Sequence, residues 1–139
     1  MPNRNDVKTM RRIAEVRALQ RQAAEQRAAG AASEQRKLEG QRKDAAEHLG
    51  EEEQSWSVSL SSSSLDLHLA GAWSASIRTG HDSLGRLDQQ VRNAADESAR
   101  QRDAWRTAIA CSEAAEAMAD AASARPARPS AAGPARRWS

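Results

Sequence analysis

The side chains with which this chain could make or break bonds are three histidines, one cysteine and a serine-rich stretch at 57–64. Each implies a different chemistry. Histidine and cysteine bind zinc when they recur at short, fixed spacings. His48, His68 and His81 show no such spacing with Cys111 or with carboxylate pairs. A serine nucleophile needs a histidine to take its proton and a strained Gly-x-Ser-x-Gly turn to expose it. Neither accompanies residues 57–64. A phosphate loop closes on Gly-Lys, and the nearest glycines, Gly80 and Gly85, have no lysine beside them. The chain therefore reads as non-enzymatic, with no cofactor, no metal and no small-molecule substrate. Cys111, being alone, cannot form an internal disulfide; among Ala, Ser and Glu it reads as a small residue packed on a helix.

The elements that would position any site must come from an unusual composition. Four tryptophans are the only aromatic residues, since Phe and Tyr are absent, and 29% of the chain is charged. So few large apolar side chains cannot fill an ordinary core, but they can line the narrow seam between two paired helices. At 139 residues the chain has room for one domain. The expected fold is all-α: a long antiparallel two-helix coiled-coil hairpin over 1–123, then a disordered basic tail over 124–139.

The first helix is expected from about residue 5 to 50, capped by Asn5 or Asp6. Its bulk is Ala, Arg, Gln, Glu and Lys, all strong helix formers. Val7, Met10, Ile13, Val16 and Leu19 recur every three residues and should share a broad face. Alanines Ala23, Ala24, Ala28, Ala31 and Ala32 continue it, and Leu38, Ala45 and Leu49 resume it. Gly30 and Gly40 each weaken a helix by about 1 kcal/mol relative to Ala, and should mark bends or close approaches of the partner. At 1.5 Å per residue, about 45 residues extend roughly 65–70 Å.

The second helix, expected from about 73 to 122, has the clearer pattern. Alternate steps of three and four give Trp73, Ile77, Gly80, Leu84, Leu87, Val91, Ala94, Ser98, Gln101, Trp105 and Ala108. The same stepping then runs through Ser112, Ala115, Ala119 and Ala122, which is a heptad seam thinning to small residues. Arg86, Asp88, Arg92, Asp96, Arg100, Arg102 and Asp103 lie off it, on a solvated face.

Residues 51–72 form the turn region. Trp56, Val58 and Leu60 alternate with serine, and Leu65, Leu67 and Leu69 with Asp66 and His68. This alternation fits a β-hairpin, and a loop or a helix running from about Ser64 remains open beside it. Prolines at 126, 129 and 134 exclude a regular helix from the tail.

Charge is distributed unevenly although the net value is only +2. Residues 1–48 carry 11 Lys/Arg against 7 Asp/Glu, residues 49–123 carry 6 against 12, and residues 124–139 carry 4 Arg and no acid. A hairpin would bring two basic ends to one pole, which attracts an acidic surface or a nucleic acid. Nucleic-acid binding is the weaker reading, because bases and acids interleave and the tryptophans form no stacking platform. No apolar run reaches the roughly 20 residues of a membrane span. Charges also stand where a signal peptide would be apolar, so a cytoplasmic location is expected.

Three stretches carry a family resemblance. They are the basic opening Val7-Lys8-Thr9-Met10-Arg11-Arg12-Ile13-Ala14, the stripe Trp73, Ile77, Gly80, Leu84, and the run Ala99-Arg100-Gln101-Arg102-Asp103-Ala104-Trp105. In layout the chain resembles the central-stalk proteins of type III secretion, namely FliJ of the flagellar apparatus and the YscO/SctO proteins of injectisomes. The serine-rich middle and the Arg-Pro tail depart from that layout. The resemblance implies an antiparallel coiled coil similar to the γ stalk of rotary ATP synthases. Its paired ends would enter the pore of a hexameric export ATPase and another part would reach the export gate. Some members also bind secretion chaperones. By this resemblance Arg11, Arg12 and Arg17 would supply charge at the ATPase end, with help from the C-terminal part of the second helix. Trp73, Ile77, Gly80 and Leu84 would contact the gate or hold the hairpin closed. The location implied is peripheral, at the base of a secretion apparatus. The alternative is a coiled-coil escort or scaffold for secreted partners.

Overall fold

Between Pro2 and Pro126 the sequence contains no proline, so no backbone N–H is missing along more than a hundred residues of helix-forming sequence. The computed structural model of the chain describes residues 3–61 and 66–124. They form two α-helices, α1 (Arg4–Leu60) and α2 (Leu67–Ala124), packed antiparallel as an all-α helical hairpin. The tail from residue 125 onward, expected to be disordered, lies outside the described residues.

The cap of α1 differs from the one expected. Asn3, not Asn5, caps α1: the Asp6 N–H donates to Asn3 Oδ1 at 2.8 Å, and the Asn3 N–H donates back to Asp6 Oδ2 at 3.2 Å. This is a reciprocal capping box. Asp66 caps α2, accepting at Oδ1 from the His68 N–H at 2.9 Å. The two helices therefore take in most of the expected turn region of 51–72, and residues 62–65, with the expected helix start near Ser64, lie outside the described residues. Trp56, Val58 and Leu60 are not a strand. As a helix, Trp56 stays on the inward line that Leu49 and Glu52 begin, while Val58 and Leu60 face solvent. A lone two-stranded hairpin would have had nothing to cover its apolar side.

Contacts divide the chain into two compact units, one from Met1–Ala28 with Gln101–Ser139 and one from Ala29–Arg100. In the first, the terminal unit, the core is small. Ala14, Ala24 and Ala28 of α1 and Ser112, Ala115, Ala119 and Ala122 of α2 are buried, with Met10 packed against Ala14, Ala115 and Ala119. Arg11 Nη2 donates to Ser123 Oγ at 2.8 Å, which ties the start of α1 to the end of α2.

In the second, the bend unit, larger side chains close the pair. Leu49 is buried at 5% exposure. Trp56 meets Trp73 edge to face, with centroids 5.7 Å apart and planes at 77°, a favoured aromatic geometry. Arg42 pairs with Asp88, His81 Nε2 with Glu53 Oε1 at 2.8 Å, and the Ser76 hydroxyl donates to the Glu52 carboxylate at 3.1 Å. From Arg42–Asp88 through Leu49–Gly80 to Trp56–Trp73 the residue number falls on α2 as it rises on α1, which defines the antiparallel register. Asp88 is the one charge expected off the seam that is half-buried; Arg86, Arg92, Asp96, Arg100, Arg102 and Asp103 are exposed.

The α2 seam is found as expected, with every position from Trp73 to Ala122 in the series buried or half-buried. The α1 face is not. Val7 and Met10 turn inward, but Ile13, Val16 and Leu19 are 48%, 49% and 65% exposed. A step of three falls about 60° short of a full helical turn, so the series walks off the seam and Ala14 takes the inward position.

Gly30 and Gly40 also depart from expectation. A Cβ added at either would meet nothing within 4 Å, so neither marks a close approach, and α1 runs through both. Gly80 is where the helices crowd: a Cβ there would lie 2.8 Å from Leu49 Cδ1. Gly30→Ala and Gly40→Ala should each raise stability by about 0.5–1 kcal/mol. Urea melts followed by circular dichroism would show the midpoint rising for each and further for the pair. An unchanged or lowered midpoint would mean these glycines have contacts the fold does not contain.

Candidate functional site

The side chains with catalytic or ligating potential are dispersed. His48 Nε2 meets Glu52 Oε1 at 3.1 Å, one turn along α1, and His81 meets Glu53 across the pair. His68 is exposed in the first turn of α2. Cys111 is free and half-buried in the terminal unit. Among the described residues no three His, Cys, Asp or Glu side chains gather as metal ligands.

Trp73, Ile77, Gly80 and Leu84 all face α1 within the bend unit. Trp73 rests on Trp56, Gly80 admits Leu49, and Ile77 and Leu84 are half-buried on the same line. At Trp73 and Gly80 the two helices meet directly. Beside them lies a groove of about 370 Å³ lined by His48, Glu51, Glu52, Ser55, Trp73, Ser76 and Ile77. No helix among the described residues is long and apolar enough to cross a membrane.

Arg11, Arg12 and Arg17 are all exposed in the terminal unit. They are not equivalent. Arg11 is engaged with Ser123, and Arg17 Nη1 donates to Gln20 Oε1 at 3.1 Å within α1. Arg12 has no partner among the described residues. α2 does not add basic charge beside them, because its last described turns carry Glu113, Glu116 and Asp120; the four C-terminal arginines all follow Ala124.

Sequence reasoning missed the apolar surface next to these arginines. Ile13 lies at the meeting of two shallow grooves. One is lined by Met10, Ile13, Arg17, Cys111, Ala114, Ala115 and Met118, the other by Thr9, Arg12, Ile13, Val16, Arg17 and Gln20. Met118 is 59% exposed. Stepping α1 by three and four from Val7 through Met10 and Ala14, as α2 was stepped, would have left Ile13 and Val16 outside the seam.

Comparison with protein-family models, with curated proteins and with solved structures finds no match to this chain.

Proposed function

We propose that this protein is the non-enzymatic stalk of a type III secretion export apparatus, cytoplasmic and peripheral, coupling a hexameric export ATPase to the export gate. The observation that carries this reading is the terminal unit, in which the start of α1 and the end of α2 pack side by side with Arg11, Arg12 and Arg17 exposed. A narrow helical pair whose α1 end carries cationic side chains is suited to meet an acidic ring. The likeness of the basic opening and of the Trp73–Leu84 stripe to stalk proteins points the same way. Trp73, Ile77, Gly80 and Leu84 keep the helices paired, and the groove beside Trp73 and Ile77 is the part open to the gate. Secretion chaperones are further partners of this reading.

A second reading, an escort or scaffold for secreted clients, is favoured by apolar side chains left in solvent at the bend: Val58, Leu60, Leu67 and Leu69. Mixing the purified protein with the export ATPase of its own secretion system separates the two. A stalk raises the hydrolysis rate and promotes ring assembly. No stimulation at any ratio, together with stable complexes with exported clients, would replace the stalk by the escort.

A further inference from the structure

The terminal unit has one face that its own core does not use. Ile13 and Val16 of α1 and Met118 of α2 are each about half exposed or more, and the two grooves that meet at Ile13 join them into one surface spanning both helices. The series of threes that carries Ile13 and Val16 rotates off the alanine seam, so both stand outside it. The neighbours that complete the surface are Met10, Ala114, Arg12 and Arg17. Neither groove lining contains a carboxylate. The surface is thus apolar at its centre, and its charged groups, Arg12 and Arg17, are cationic beside the neutral Thr9 and Gln20; Glu15 stands beyond Arg12 in a neighbouring groove.

We propose that this face docks an amphipathic helix of another protein, one with an apolar stripe for Ile13, Val16 and Met118 and carboxylates for Arg12 and Arg17. A groove between two helices lying side by side accepts a third helix by ridge-into-groove packing, with anchors three and four residues apart. Charge selects among occupants. A second copy of this chain would bring the same arginines against Arg12 and Arg17 with no carboxylate from the face to offset them. The chain's own last 15 residues carry four arginines and no acid, so the same repulsion acts on them. An acidic helix satisfies both the apolar centre and the cationic edge. This docking goes beyond the stalk reading and does not require it.

The test uses two synthetic labelled peptides of about 20 residues, long enough to hold a helix, with one shared leucine stripe. One has glutamate on its other faces and the other has lysine. Fluorescence anisotropy against the full chain should show binding of the glutamate peptide only. Val16→Glu and Met118→Glu, both at exposed positions, should each weaken it by about tenfold or more, with unchanged helical circular dichroism. Val58→Glu, an exposed apolar site in the bend unit, should bind like the native chain. Equal binding of the lysine peptide, or full binding by Val16→Glu and Met118→Glu, would overturn the proposal. So would light scattering that shows a dimer dissolved by Val16→Glu, which would assign the face to a second copy. Binding to phosphatidylglycerol vesicles that is lost in the same variants, with no peptide bound, would assign it to a lipid surface. An ATPase unaffected by the protein would sink the stalk reading and leave the peptide result standing.

Discussion

Replacing Leu49 by alanine is expected to cost the hairpin about 2–4 kcal/mol, a large share of what a two-helix fold can hold. Among the described residues the other buried positions are alanines and serines, so Leu49 is the bulkiest side chain in the buried set. It reaches into the space opposite Gly80, where a Cβ would come within 2.8 Å of its Cδ1. Gly80 has no side chain with which to refill the gap. The cavity therefore stays open, and the lost transfer energy and the lost packing add. Gly80→Leu should also destabilise, by overpacking against Leu49. Combining the two exchanges the large and small partners across the seam, so the double variant should recover much of the loss. Such a coupling is what neighbours in contact show and distant residues do not. Urea melts of the two single variants, the pair and Leu60→Ala as an exposed control would measure it. Additive losses, or a silent Leu49→Ala, would mean that Leu49 and Gly80 do not face each other.

The second large effect is functional. Arg12→Glu with Arg17→Glu should reduce stimulation of the export ATPase by about tenfold or more while leaving the fold intact. Both residues are exposed, and neither bonds across to α2 among the described residues. Reversing two charges turns attraction to an acidic ring into repulsion, and interfacial charge of this kind governs encounter and register. The native stimulation should accordingly weaken as salt is raised, since exposed charges are screened within about 8 Å at physiological ionic strength. Arg11→Glu is a poorer test, because it also breaks the hydrogen bond to Ser123. Arg86→Glu, exposed in the bend unit, serves as the control. Undiminished stimulation by the double variant would remove Arg12 and Arg17 from the interface.

The two helices were not equally legible in the sequence, and the reason is physical. Along α2, from Trp73 to Val91, the seam is marked by large apolar residues and one necessary glycine, so alternating steps of three and four identify it. Along α1 the seam passes through Ala14, Ala24 and Ala28, which differ little in hydrophobicity from the alanines on the other faces. The brightest apolar series, Ile13, Val16 and Leu19, belongs to the surface instead. The bend was hidden by serines placed between apolar residues, which imitate a strand until Trp56 is seen to pack on Trp73. Arginine exposure could be read directly from composition. The apolar face beside Arg12 and Arg17 could not, because it exists only once Met118 of α2 is brought next to Ile13.

Both the cationic surface and the apolar face require the start of α1 and the end of α2 to lie side by side within one molecule. Spin labels at Arg11→Cys and Ser123→Cys, in a Cys111→Ala background and diluted with unlabelled protein, measure that separation by pulsed electron resonance. A single short distance that survives dilution is the expected result. A long or broad distribution, or a short distance that disappears on dilution, would contradict the hairpin and with it every site built on the terminal unit.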